Sequence, residues 1–161
     1  MKEYRTFRNK RLLGTKSFLS KIVFHFYIVM VGDPVGDMLI RIKNAGMAKL
    51  PSVSIPYSKH KDAIAEILLK EGYIVHIHRR GKKASKRTLE LDLKYGKGGA
   101  HRISGVSRMS KPGRRLYKAC KDVLPVKEGS GMAIFSTPAG LKTDRDVRKE
   151  KVGGELLFTI W

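Results

Sequence analysis

The chain has 161 residues, of which 34 are lysine or arginine and 14 are aspartate or glutamate, so its formal net charge at pH 7 is +20. With 42% hydrophobic residues it is too apolar for a disordered basic tail, and its single cysteine, Cys120, excludes an internal disulfide and a CxxC zinc or redox motif. These values predict a folded protein of a reducing compartment whose partner is a polyanion.

Residues 1–30 combine a basic segment with a short apolar run. The run, at residues 22–31, is about half as long as the roughly 20 residues that a membrane helix needs. Three interpretations stay open for residues 1–29: a mis-assigned start before Met30, a genuine basic extension, or a targeting peptide without a small-residue cleavage site. A targeting peptide would place the protein in an organelle, and a role at anionic membrane surfaces would rest on this segment alone.

Residues 33–93 carry the periodicities of two helices and three strands. Asp33 is a candidate N-cap, Pro34 fits the first helical position, and apolar residues recur at helical spacing until Gly46, which is predicted to end the helix. Ser58 is predicted to cap the second helix. The predicted elements are a helix over 33–46, a strand over 52–56, a helix over 58–72, and strands over 73–78 and 88–93 joined by the basic segment 79–87. Together they form an αβαββ unit, assigned to residues 30–96.

A glycine-rich break at residues 96–99 is predicted to be a domain boundary. Beyond it, residues 97–161 are predicted to form a mostly β unit with one short helix. The predicted elements are strands over 102–108, 131–135 and 155–161, and a helix over 144–149 that Thr143 caps. The sequence therefore predicts an α+β fold made of two small domains.

Residues 79–121 are strongly basic, yet their apolar residues alternate as they do in strands. A folded surface with such a surplus of positive charge repels itself unless an anionic ligand covers it. Within this stretch, a Pro-Gly turn brings Lys111 and Arg114 close to Tyr117. Cations beside an aromatic residue suit contact with a nucleic-acid backbone, although a solvated turn with Tyr117 in the core stays open.

Three further cations lie where they suit phosphate contacts. Arg41 and Lys43 lie off the apolar stripe of the first helix and are therefore predicted to face outward. Lys59 lies at the start of the second helix. All three are predicted to hold phosphates of a neighbouring nucleic-acid segment.

Signs of catalysis are weak. The sequence contains no phosphate-binding loop, no HExxH, no G-x-S-x-G and no dinucleotide-binding glycine pattern. His76 and His78 share a strand face, but no further ligand lies nearby in sequence to complete a metal site, and no cofactor is predicted. The alternative function is a small RNA-processing or RNA-modifying enzyme, which would draw a general acid and base from His76, His78 or His101.

Residues 30–161 resemble the S-eight family of bacterial small-subunit ribosomal proteins over almost their full length. Many ordered blocks at family spacing make this signal far more specific than any single short motif. The matching segments are residues 33–39, 41–45, 70–74, 110–117, 136–140, 143–148 and 152–157.

The resemblance implies an α+β protein of two small domains without catalytic activity. It further implies a structural constituent of the small ribosomal subunit that binds the central domain of the subunit's RNA and helps assemble that region. The implied partners are that RNA and neighbouring ribosomal proteins, notably the fifth, with no membrane and no small-molecule substrate. The implied location is the cytoplasmic ribosome.

By the same resemblance, a hydroxyl-rich loop at residues 136–140 lies against an irregular RNA stem. Small hydroxyl groups donate and accept hydrogen bonds, and glycine lets the backbone approach closely. The implied RNA-binding residues are Ser136, Thr137 and Gly140 of this loop, together with Lys111, Arg114 and Tyr117. The family usually has a third hydroxyl and a lysine where this chain has Pro138 and Ala139, and a threonine where it has Ile40, so those contacts are not carried over.

Overall fold

The computed structural model describes residues 32–81, 87–96 and 98–161. The interpretations of residues 1–29 and of the tip of the basic hairpin therefore lie outside the described residues. Asp33–Trp161 form one compact unit that carries two antiparallel sheets. No helix in these described ranges is long and apolar enough to span a membrane.

The first helix, α1 (Pro34–Met47), begins as the sequence predicts. The Asp33 side chain accepts a hydrogen bond from the Gly36 amide at 3.1 Å, and Pro34 occupies the first turn. The helix continues through Gly46 and ends at Met47, so the prediction that Gly46 ends it was wrong. Gly46 is required for packing instead, because a Cβ atom there would overlap the ring of His101.

The first sheet contains three antiparallel strands in the order β1-β3-β2, with a second helix packed on it. Leu89, Leu91 and Leu93 alternate toward the buried face of the central strand, which explains why one face of this sheet is apolar. The elements are β1 (Ser52–Pro56), α2 (Lys59–Lys70), β2 (Ile74–Arg80) and β3 (Thr88–Leu93). The predicted αβαββ order is confirmed.

The second sheet contains five strands, with β4-β8-β6-β7 in order. Strand β5 pairs with the first residues of β8, and β4 pairs with its last residues. The strand predicted over 102–108 is restricted to its last three residues, and β5 and β7 were not predicted. The elements are β4 (Val106–Arg108), β5 (Tyr117–Lys118), β6 (Met132–Thr137), β7 (Gly140–Thr143), the helix α3 (Asp144–Glu150) and β8 (Gly154–Ile160), with short 3-10 turns at Cys120–Asp122 and Val126–Gly129.

The second sheet is buried on both faces. Met132 and Ile134 of β6 join a large core that also holds side chains of α1, α2 and the first sheet. Phe135 lies in a smaller core that includes Val147 of α3. The predicted α+β class is confirmed. The division into domains at residues 96 and 97 stays a prediction, and the two sheets contribute to one core.

Candidate nucleic-acid interface

The hydroxyl-rich segment forms a tight hairpin turn between β6 and β7. Ser136 and Thr137 end β6, Gly140 begins β7, and the Thr137 hydroxyl donates to the Gly140 carbonyl at 2.8 Å. Gly140 has a φ of 105°, a backbone conformation that glycine adopts at little cost. Thr137 is buried at 8% exposure, whereas residues 138–140 are exposed. The hairpin therefore presents mainly backbone to a ligand, and the Thr137 oxygen retains only its acceptor capacity.

The register of β8 brings the hairpin next to Tyr117. Ser136 of β6 and Tyr117 of β5 both lie opposite Glu155 of β8. A Cβ atom at Gly154 would lie 2.6 Å from the Ser136 carbonyl oxygen, so the absence of a side chain there allows β6 and β8 to approach closely. Two candidate sites that are about twenty residues apart in sequence thus form one row across three strands.

Glu155 holds the basic segment in place beside that row. Its carboxylate accepts a hydrogen bond from Nη1 of Arg115 at 2.9 Å, and Ser110 accepts from the Leu116 amide at 2.9 Å. Burial opposes ionisation of Glu155, but hydrogen bonds from Arg115 and Ser110 and the charges of Arg115 and Arg108 outweigh it and lower its pKa. Because Arg115 is neutralised in this way, it acts as a positioning residue of the turn.

The turn at Lys111–Arg114 exposes the predicted cations. The Lys111 amide donates to the Arg114 carbonyl at 2.9 Å, and the Arg114 amide donates back at 3.0 Å. Neither side chain forms an ion pair with any of the described residues. Tyr117 is 70% exposed, so it does not lie in the core. This surface offers two free cations and an aromatic ring beside the hairpin.

The cations predicted on the two helices have different surroundings. Arg41 directs its Nε toward both carboxylate oxygens of Asp37, at 2.9 and 2.8 Å, and is half-buried. Lys43 is half-buried and Lys59 is exposed, and within the described part of the chain neither is ion-paired. Contact of Lys43 and Lys59 with phosphates stays a prediction, and Arg41 has only its two terminal amino groups left to take part in one.

The histidines do not assemble into a catalytic pair. The rings of His76 and His78 lie 6.2 Å apart on an edge strand, and His78 Nε2 lies 3.1 Å from Asp92. The ring of His101 lies elsewhere, 5.4 Å from the ring of Tyr95 and tilted by 54° to it. Within the described ranges, no three His, Cys, Asp or Glu side chains form a group that would hold a metal ion.

Sequence reasoning missed two residues that position the basic turn, Ser110 and Glu155, and one buried lysine, Lys61. Ser110 and Glu155 gain their roles from the pairing of β8, which no local pattern reveals. Lys61 is 5% exposed. It occupies position i of a buried helical face whose positions i+3, i+4 and i+7 are Ile64, Ala65 and Leu68. A lysine on an apolar stripe was the signal that would have identified it.

Known proteins are similar to this chain over most of its length. A family model described as ribosomal protein S8 matches residues 33–161. The chain is 47% identical over 131 residues to the small ribosomal subunit protein uS8 of Rubrobacter xylanophilus, which covers 81% of this chain and 98% of that protein. The proteins of the same name from Persephonella marina and Dechloromonas aromatica are 47% and 49% identical, over 82% and 81% of this chain and 100% and 98% of theirs.

Proposed function

The chain belongs to the ribosomal protein S8 family, and we propose that it is a structural constituent of the small ribosomal subunit that binds the central domain of the subunit's RNA and helps assemble that region. The family is structural, and membership in it confirms the prediction that the chain is not an enzyme. Its site of action is then the ribosome, in the cytoplasm, or in an organelle if residues 1–29 are a transit peptide.

The single observation that carries this proposal is the row formed by Ser136, Glu155 and Tyr117 beside the free cations of the turn. Hydroxyl and backbone groups of the hairpin suit the shallow minor groove of an RNA helix, where base edges and ribose hydroxyls are accessible. Lys111 and Arg114 suit the adjacent phosphates, which fix the position of the protein without reading sequence. One surface thus combines recognition of shape with neutralisation of charge.

The hairpin of this chain recognises RNA with fewer polar side chains than the family usually has. Pro138 removes a backbone donor and Ala139 supplies no charge, and both are exposed at the turn. Ser136, the backbone at Gly140 and the Thr137 acceptor are the groups that remain. Binding therefore relies more on the close approach of backbone and on the neighbouring cations.

A second contact involves the cations of the helices. Lys43, Lys59 and the terminal amino groups of Arg41 hold phosphates of another segment of the same RNA. Because the two sheets share a core, both surfaces are fixed relative to the fold and help set the relative position of two RNA segments. Neighbouring small-subunit proteins, the fifth among them, are the protein partners, and no membrane or small-molecule substrate is involved.

The test is a footprint of the purified protein on a transcript of the central domain of small-subunit RNA. Protection of a discrete irregular stem, with the RNA still intact after prolonged incubation, supports the proposal. Cleavage or chemical modification of the transcript would favour the enzyme alternative. Equal protection of unrelated stems would reduce the function to non-specific electrostatic binding. Anionic vesicles serve as the control for a membrane-surface role.

A further inference from the structure

Lys61, in the first turn of α2, is the one lysine among the described residues whose side chain is buried. Its backbone amide donates to the Ser58 hydroxyl at 3.3 Å, but its ammonium group has no hydrogen-bond acceptor and no carboxylate within ion-pair distance in the described ranges. The aliphatic stem of Lys61 is buried, while its ammonium group keeps contact with solvent. The packed stem therefore holds an unpaired positive charge at a fixed place on the surface, where an anion can reach it.

The neighbours of Lys61 on α1 leave a surplus of positive charge. Asp37 and Arg41 lie close enough for their charges to act on the ammonium group, and they pair with each other through Nε of Arg41. Their charges cancel, so Lys61 contributes the remaining positive charge. The terminal amino groups of Arg41 make no hydrogen bond with described residues. Burial lowers the pKa of Lys61, Asp37 raises it and Arg41 lowers it, so a bound anion would also stabilise the charged form.

We propose that Lys61, together with the terminal amino groups of Arg41, holds one phosphate of the RNA backbone. This inference rests on the proposed function and adds a site built on a buried lysine stem to the phosphate contacts of Lys43 and Lys59. A phosphodiester carries a single negative charge, which matches the surplus, and its two non-bridging oxygens accept hydrogen bonds from both side chains. Asp37 holds the guanidinium group in a fixed orientation before the RNA arrives, so less side-chain freedom is lost on binding.

The experiment compares Lys61→Met with Lys70→Met in the full chain. Methionine keeps an unbranched apolar side chain and removes the charge, and Lys70 is an exposed lysine at the other end of the same helix. Binding is measured with a transcript of the small-subunit central domain across a salt titration. Lys61→Met is expected to fold with an unchanged or higher thermal midpoint, to bind about tenfold more weakly and to lower the salt slope by about 0.7–0.9. Lys70→Met is expected to bind like the unaltered protein.

Phosphate ethylation interference then locates the contact. One ethylated phosphate should interfere with binding of the unaltered protein and lose its effect in both Lys61→Met and Arg41→Gln. Lys61→Arg, which keeps the charge, should retain the signal and serves if Lys61→Met does not fold. A purely structural role of Lys61 would change the thermal midpoint without changing this pattern.

Three results would overturn the inference while leaving the proposed function intact. The first is an unaltered interference pattern and salt slope in Lys61→Met, and the second is an equal loss of affinity in Lys70→Met. The third is normal binding to naked RNA with weaker incorporation into RNA that already carries neighbouring proteins, which would indicate an acidic protein partner. If the unaltered chain fails to bind the transcript at all, the proposed function itself is wrong.

Discussion

Asp33 caps the first helix and, with the same carboxylate, accepts two hydrogen bonds from Arg108 in β4. Its oxygens lie 2.8 Å from Nε and 3.2 Å from Nη2 of Arg108, and Nη1 of the same arginine donates to the Leu157 carbonyl at 2.7 Å. The start of α1 is thereby fixed to two strands of the second sheet. This contact joins residues 75 positions apart in sequence and adds a polar connection to the core that the two sheets share.

Replacing Asp33 by asparagine should weaken this connection while preserving the cap, because asparagine is also a favourable N-cap residue. We expect a loss of about 1 kcal/mol in the free energy of unfolding at pH 7, since the pair is partly screened by solvent. Urea unfolding measures this loss in the free energy of unfolding. Asp122→Asn is the control, because the Asp122 carboxylate makes no ion pair with the described residues.

The pH dependence of the same variant gives an independent check. Burial favours the protonated form of Asp33, but hydrogen bonds from Arg108 and the Gly36 amide and the charge of Arg108 outweigh it and lower its pKa below 3.8. Stability from this group is therefore fully present above the pKa of the unfolded chain and is lost as the pH falls through the lower folded value. The difference between the unaltered protein and Asp33→Asn should shrink at acidic pH. A difference that grew on acidification would contradict this assignment.

Gly154→Ala should destabilise the fold through the backbone. The new methyl group would lie 2.6 Å from the Ser136 carbonyl oxygen, and neither strand can move without disturbing its ladder. We expect a loss of about 1–3 kcal/mol in chemical unfolding. Gly113→Ala is the matched control, because an added Cβ there meets nothing within 4 Å, and it should leave stability unchanged or raise it slightly. Equal behaviour of the two variants would show that β8 tolerates a wider spacing.

Local patterns predicted most of the helices, because their determinants lie within one or two turns. Asp33 and Pro34 specify the start of α1, and Thr143 forms a capping box with Asp146 at the start of α3. The strand β5 was not predicted, since it has two residues and exists through its pairing with β8. Strand β7 was missed for a related reason: residues 136–140 read as a loop, although Gly140 reverses the chain tightly enough to begin a strand.

The candidate site was predicted as separate parts and not as one surface. The hydroxyl-rich segment and the basic turn were both recognised in the sequence, but their adjacency depends on Glu155 lying opposite both Ser136 and Tyr117. Such a register is set by long-range packing of β8. Residue composition likewise could not show that Arg115 is neutralised while Arg114 is free, since that depends on which side chain reaches Glu155.

Ser136→Ala and Thr137→Val separate recognition of RNA from stability of the hairpin. The Ser136 hydroxyl makes no hydrogen bond with described residues, so its loss should leave the thermal midpoint unchanged and weaken binding to the cognate stem by about 1 kcal/mol. Thr137→Val removes the bond to the Gly140 carbonyl and should lower both stability and affinity. Thermal unfolding and RNA titration measure the two effects. Unchanged affinity in both folded variants would remove the hairpin from the interface.

The effect of removing a cation from the basic turn should depend on whether that cation is free or paired. The three substitutions that test this are Lys111→Ala, Arg114→Ala and Arg115→Ala. Lys111 and Arg114 form no ion pair with described residues. Each of their substitutions should therefore reduce the salt slope of RNA binding by about 0.7–0.9 and lower the affinity for matched and mismatched RNAs alike. Arg115 is neutralised by Glu155 at 2.9 Å. Its removal should leave the slope nearly unchanged and lower the thermal midpoint, because Glu155 loses the partner that compensates its partial burial. Binding isotherms from low to moderate salt, with melting curves of each variant, measure both. An equal change of slope in all three would show that the RNA displaces Arg115 from Glu155, and the turn would then rearrange when it binds.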